Sequence, residues 1–435
     1  MTSTSTTIEL GYIEDFPKLT NTSTFLTSYV HPECALASAP YNHWDAGKIG
    51  GRPVWLTSAH IPTAGKARCG QCGKLMKFLC QIYAPVEHGI DHDQAYHRAL
   101  YIWVCRDGQC LNSGGPSAPS TTPAHGATGP VLVIRQQLPC ENAVWPADGD
   151  DPACPASSVP ADSLPALCVV CGLRADSSLA ASAPACCAQH AELVAKRAAV
   201  IDKLPADARD TAAAAIEPAA APAHLASARG LPVPASILPA TAIYPEHDLV
   251  TETEPEEAAR EAAAAVRLGG AAAAPVAQLP EPTPDGHEGE PTWDGLEQAD
   301  LNEATGAARD AGMDEVLMAF HERVAVEPDQ ILRYARWQAE PPLWCCTPGR
   351  LEREAPACAR CGAPRAFEMQ VMPQLLSALG GDDAVEAAAA IGKGAQSEAV
   401  AHALDFGTIA VYTCTGSCVQ EDCEAVEFAW VQPSM

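Results

Sequence analysis

Apolar positions come in short, dense runs at the two ends of the chain and thin out in between. Phe78-Leu-Cys-Gln-Ile-Tyr83, Tyr101-Ile-Trp-Val104 and Val131-Leu-Val-Ile134 are rich in β-branched and aromatic residues. Runs of that length and make-up predict short strands. Ser, Pro, Gly and Thr fill Asn112 to Pro130, a composition that buries no core and predicts a long surface loop. From Pro146 to Asp310 alanine, proline and glutamate dominate, which predicts a linker broken by a small Cys/His cluster at about 165–192. Periodicity returns after Met313, where Val316, Leu317, Phe320 and Val324 sit at helical spacing. Pro328, between Glu327 and Asp329, predicts a further helix start, since proline suits the first turn and carboxylates suit the positive end of a helix.

Two stretches repeat one another in register. Cys69-Gly-Gln-Cys72-Gly73 precedes Phe78 and Gln81, and Cys358-Ala-Arg-Cys361-Gly362 precedes Phe367 and Gln370. An apolar run leads each on to a second cysteine pair, Cys105 and Cys110 in one copy, Cys414 and Cys418 in the other. Each copy closes on another apolar run, Val131 to Arg135 and Val426 to Trp430. The matched spacing predicts a duplicated domain. The second copy differs by an Ala-rich insertion near Asp382 to Ala403, expected to be helical.

The chain has 19 cysteines. Arranged in pairs in a long chain with no secretion signal, they point to metal binding, not cross-linking. Four thiolates from two knuckles satisfy tetrahedral zinc and leave no position open for substrate. The expected Zn2+ ligands are Cys69, Cys72, Cys105 and Cys110 in one copy and Cys358, Cys361, Cys414 and Cys418 in the other. The middle cluster offers a sparser third set, Cys168, Cys171, Cys187 and His190, with Cys186 as the alternative to Cys187. Alanine and serine between Leu179 and Ala185 leave little to pack around it. The expected fold class is therefore α+β: two pseudo-repeat β-rich zinc-clip domains, 1–145 and 311–435, joined at 146–310 by a mostly disordered acidic Ala/Pro-rich linker.

Charge narrows the partners. The formal net charge is −27, and between Glu246 and Asp310 sixteen Asp or Glu stand against three Arg and no Lys. Nucleic-acid binding draws on cations that neutralise phosphates, so a basic protein is the better match. No apolar run approaches the roughly 20 residues of a membrane span, and the start, MTSTSTTIEL, has no targeting pattern. A soluble monomer is expected in the cytoplasm, with the nucleus as a second compartment. Phosphate-loop, dinucleotide and nucleophile-elbow motifs are missing, and His321-Glu322-Arg-Val-Ala325 lacks the second histidine of a metalloprotease. No catalytic residue is expected. Trp55, Trp344 and Trp430 read as core aromatics, and His97 as a structural histidine.

Leu10-Gly-Tyr12, Gly50-Gly-Arg-Pro-Val-Trp-Leu56, Gln81-Ile-Tyr-Ala-Pro85, Arg135-Gln-Gln-Leu-Pro139, Tyr244 to Glu254, Glu327 to Tyr334, Gln370 to Leu376 and Phe406 to Cys414, with the cysteine pairs, occur here in order. Together they resemble the programmed cell death protein 2 family. The resemblance implies a dedicated chaperone that captures a newly made, basic small-subunit ribosomal protein and supports assembly of the small subunit. It also implies a central MYND-type finger with eight ligands for two metals. The cluster here cannot fill two sites and looks like an eroded finger. The competing expectation is a zinc-finger adaptor in transcriptional or cell-death signalling.

Overall fold

In a computed structural model, the described residues are 8–14, 47–57, 61–86, 94–113, 115–117, 129–140, 142, 165–179, 184–201, 244, 247–255, 314–337, 340–379, 404–418 and 424–434. They form eleven strands, β1 (Glu9–Glu14), β2 (Gly47–Ile49), β3 (Lys77–Tyr83), β4 (His97–Val104), β5 (Gly115–Ser117), β6 (Val131–Leu138), β7 (His247–Thr253), β8 (Leu332–Tyr334), β9 (Arg365–Val371), β10 (Thr408–Cys414) and β11 (Glu424–Gln432). The four described helices are α1 (Gly108–Asn112), α2 (Ala188–Ile201), α3 (Glu315–Val324) and α4 (Leu375–Ala378).

Ten of the strands close on themselves. The order β10-β9-β8-β1-β7-β2-β3-β4-β6-β11 is completed by pairing of β10 with β11, and β5 adds alongside β11. Every pairing is antiparallel. Strand β11 makes the closure. Its first half, Glu424 to Glu427, pairs with β6, and Phe428 to Gln432 pair with β10. Closure removes the exposed sheet edges that two separate small sheets would present.

One apolar cluster draws on both halves of the chain and fills the barrel: Leu100, Ile102 and Val104 of β4 and Val131 and Val133 of β6 join Met369, Val371, Ile409, Val411, Ala429 and Val431. The opposite face of β4 and β6, with Tyr101, Trp103, Leu132 and Ile134, packs in a second cluster outside the barrel. Strands buried on both faces read as unbroken apolar runs, which is why these segments were evident as strands.

The α+β expectation of two clip domains on a disordered linker is overturned. The fold is mostly β, a single barrel to which both ends of the chain contribute strands. The stretch assigned to linker supplies β7, which sits between β1 and β2. It also supplies residues 165–179 and α2, whose Cys168, Val170, Cys171, Leu173 and Val194 belong to the same outer cluster as Trp55 and Trp103. The rest of the acidic stretch from 256 to 310, the insertion at 382–403 and most of the 112–130 loop lie outside the described residues.

Helix α3 falls where the apolar spacing predicted it. Asp314 caps it by accepting from the Val316 amide, and Met318, Phe320 and Val324 are buried. Pro328 starts no helix. The chain turns there, with Glu327 N bonded to Val324 O, and Ile331 N reaches Gly11 O as β8 joins β1. Pairing across the barrel outweighs the local helix signal.

Candidate metal centres

The three cysteine knuckles share one backbone. In each, the first cysteine amide bonds a carbonyl five residues on, Cys69 to Lys74, Cys168 to Leu173 and Cys358 to Ala363, at 2.7–2.9 Å. In each, the glycine after the second cysteine donates back to the first cysteine carbonyl at 2.9 Å. Those glycines, Gly73, Gly172 and Gly362, have φ of +69°, +73° and +75°, the left-handed region that glycine enters without a Cβ penalty. The turn leaves both sulfurs on one side of the loop.

The second pair of ligands comes from the ends of strands. β4 runs into Cys105, whose Sγ accepts from the Asp107 amide at 3.4 Å. Asp107 also caps α1, which carries Cys110. Lys74 of the knuckle ties Asp107 in place at 2.8 Å. Cys69, Cys72, Cys105 and Cys110 thereby converge, with all four sulfurs within 4.8 Å of one another. In the second half β10 ends in Cys414, and a tight turn with Ser417 at φ +38° brings in Cys418. Cys358, Cys361, Cys414 and Cys418 converge in the same way.

The middle group is Cys168, Cys171, Cys186 and His190. Cys186 faces the group and Cys187 lies outside it, and His190 reaches it from the first turn of α2. The finger is not bare. Arg52 donates to Val169 O and the Trp55 indole to Gly172 O, both at 2.8 Å, and Arg174 N bonds Pro62 O. Sequence reasoning placed Trp55 in a core without seeing that its nitrogen holds a knuckle. It also passed over Gly172, the glycine that marks Cys168-Val-Val-Cys171 as the same motif as the other two.

The donor sets fit zinc. Sulfur pairs stand at 3.5 Å for Cys72 and Cys105, 3.4 Å for Cys171 and Cys186, 3.5 Å for Cys358 and Cys418, 3.4 Å for Cys361 and Cys414 and 3.9 Å for Cys414 and Cys418. His190 Nδ1 lies 3.4 Å from Cys168 Sγ and 3.3 Å from Cys186 Sγ. A tetrahedron with bonds of about 2.3 Å has edges of about 3.8 Å. One thiol in each group is already pulled toward thiolate. The Cys105 thiol donating to Cys69 brings Cys69 down to about 5, with the Cys72 and Gln71 amides helping against burial. Burial raises Cys358, but the amides of Cys361 and Arg360 outweigh it and leave it at about 7. Burial likewise opposes ionisation of Cys168, and donation from Cys171, Cys186 and His190 brings it well below the usual thiol range. Each group offers the four donors that complete a tetrahedral zinc, the arrangement of a structural metal site.

His97 is not a ligand. It lies buried on β4, its ring beside the Tyr83 hydroxyl, and burial lowers it to about 4. Trp55 stacks on Trp103 and packs at a tilt against Tyr101. Trp344 and Trp430 pack partly buried on the outside of β9, β10 and β11.

Comparison with known proteins gives a consistent picture. The sequence model of the programmed cell death protein 2 N-terminal domain matches residues 7–151, and that of the programmed cell death protein 2 C-terminal putative domain matches residues 314–433. Programmed cell death protein 2 of Mus musculus is 28% identical over 395 residues, 88% of this chain and 90% of the mouse protein. Programmed cell death protein 2-like of Homo sapiens is 37% identical over 105 residues, 24% of each chain. A probable 20S rRNA accumulation protein 4 of Schizosaccharomyces pombe is 36% identical over 62 residues, 14% of each chain. No solved structure matches.

Proposed function

Because the chain belongs to the programmed cell death protein 2 family, we propose that it is a non-catalytic, zinc-clipped chaperone for a newly made basic protein of the small ribosomal subunit. The observation that carries this is the chemistry of the three metal groups: each set of four donors is complete, so the sites built with most care in this molecule are scaffolding. The rRNA-accumulation name of the fission-yeast relative points to ribosome biogenesis, and a net charge of −27 suits a basic client. Zn2+ would be held by Cys69, Cys72, Cys105 and Cys110, by Cys358, Cys361, Cys414 and Cys418, and by Cys168, Cys171, Cys186 and His190. It would supply structural cross-links that small loops cannot obtain from apolar packing. The partner set contains no nucleic acid and no membrane, and the protein works as a monomer in the cytoplasm and nucleus.

The test is affinity purification of the full chain from its source cell at low salt, with mass spectrometry of what stays bound in near-equal amount. One dominant basic small-subunit ribosomal protein is expected, released as salt rises because exposed charge is screened over about 8 Å at physiological ionic strength. Recovery of transcription or signalling proteins without a ribosomal protein would replace this reading with the adaptor. The middle group favours that second reading in one respect, because it brings four donors together. Its docking on Trp55 and Arg52 also means that replacing Cys168 disturbs the outer core. Surface substitutions on α2 at Glu192 and Lys196, both exposed, are therefore the cleaner probe of an adaptor face.

A further inference from the structure

The ligand-bearing segments of the second-half group, Cys358, Cys361, Cys414 and Cys418, are tied to a buried polar network that begins on the other half of the chain. Arg135 of β6 is fully buried. Its Nε donates to Glu427 Oε1 at 2.7 Å, its Nη1 to Gln137 Oε1, and its Nη2 to the Cys418 carbonyl at 2.9 Å. Gln137, two residues along the same strand, donates from Nε2 to the Ser417 carbonyl at 2.9 Å and to Gln94 O at 3.2 Å. Glu427 Oε2 accepts from the Cys414 amide at 3.2 Å and from Arg365 Nε at 3.0 Å. Arg365 Nη1 then donates to the carbonyls of Pro356 and Ala357, just ahead of Cys358, at 3.0 and 2.9 Å. The knuckle, the strand end and the Ser417-Cys418 turn are all reached by this one network.

The Ser417-Cys418 turn is where outside help matters most. Ser417 is a non-glycine residue at φ +38°, a conformation that costs free energy unless neighbouring structure holds it. The two carbonyls at the turn are held by Arg135 and Gln137, which sit about 280 positions away in sequence. Partners beyond the ligands orient a site and change its affinity for metal.

We infer that Arg135 and Gln137 are positioning residues for the second-half metal site, so that this site keeps its ion only while β6 of the first half is seated against β11. The inference rests on zinc occupying that group, as proposed above. Metal capture by the second half is thereby coupled to closure of the barrel.

The experiment uses the full chain loaded with zinc and follows transfer of the metal to a chromophoric chelator, beside a far-ultraviolet melt of each variant. Gln137→Glu keeps the size and the oxygen facing Arg135 but removes the donor to Ser417. It should release one ion per chain about 10 to 100 times faster than the native protein, if the affinity lost with such supporting partners falls on the release rate, while the remaining ions leave at native rates. Arg135→Met should do the same or more. A Cys418→Ser chain identifies the fast ion, because adding Gln137→Glu to it should accelerate nothing. Native release rates in a folded Gln137→Glu chain would overturn the inference. So would equal acceleration of every ion. If Arg135→Met does not fold, the Gln137→Glu result decides alone. A native chain that carries no ion at Cys358 and its partners would instead overturn the metal reading beneath it.

Discussion

Gly73, Gly172 and Gly362 have the same backbone conformation but different surroundings. A Cβ built on Gly73 or Gly362 meets nothing within 4 Å, whereas on Gly172 it lies 3.0 Å from Pro53 Cδ. Alanine at Gly362 therefore pays only for left-handed backbone, about 1–2 kcal/mol. Alanine at Gly172 also pushes the finger from Pro53, a ring that cannot turn aside, and loosens the bond from Trp55 to the Gly172 carbonyl. Thermal melts at equal zinc should rank Gly172→Ala below Gly362→Ala, with Gly73→Ala close to Gly362→Ala. Equal melts for Gly172→Ala and Gly362→Ala would show that the finger does not lean on Pro53. At this scale much was legible in the sequence, because a knuckle is a local object whose ligands and glycine lie within five residues. The choice of Cys186 over Cys187 was not, since the two are adjacent cysteines and only the folded arrangement brings one of them into the group.

Elements were legible where burial makes the sequence uniform and hidden where charge masks it. β3, β4, β6, β10 and β11 announced themselves as apolar runs, but β7 lies in the segment His247-Asp-Leu-Val-Thr-Glu-Thr253, whose acidity reads as linker. The following residue explains how an acidic strand is seated. Glu254, 8% exposed, takes Arg323 at 2.6 and 2.7 Å and Arg333 at 2.7 and 3.1 Å. Burial raises its carboxyl, but the two guanidinium groups outweigh that and hold it at about 2. A carboxylate lowered on folding stabilises the native state fully above its ordinary value of 4.5 and loses that contribution as pH falls through about 2. Glu254→Gln leaves Arg333 buried without its counter-charge, and breaking such a pair costs about 3–5 kcal/mol at neutral pH. Stability measured by denaturant from pH 7 to pH 2 should converge for the two proteins at the acid end. A constant gap across that range would show that the ion pair is not what holds β7.

The whole molecule was the least legible scale. Barrel closure depends on pairings between residues hundreds of positions apart, β1 with β8 and β6 with β11, and no local pattern encodes a partner. A duplicated cysteine pattern suggests two small domains, each completed by its own metal. The apolar surface says otherwise. Met369, Val371, Ile409, Val411, Ala429 and Val431 are at most 1% exposed, and they share one cluster with Leu100, Ile102 and Val133 of the first half. Uncovering those six side chains would cost about 10 kcal/mol, comparable to the entire stability of an ordinary domain. Arg98 and Glu368, bonded at 2.5 and 2.7 Å in the interior, cross the same divide. Residues 311–435 expressed alone with zinc should therefore give a poorly dispersed amide spectrum and a broad melt, even though all four second-half ligands are present. Adding residues 1–255 should restore dispersion and a cooperative transition. A sharp melt and a dispersed spectrum from the isolated fragment would mean that its metal clip suffices, and that the two halves are domains which dock after folding. Failure without the first half would make the barrel the folding unit, with the clips fastening loops onto a core they do not create.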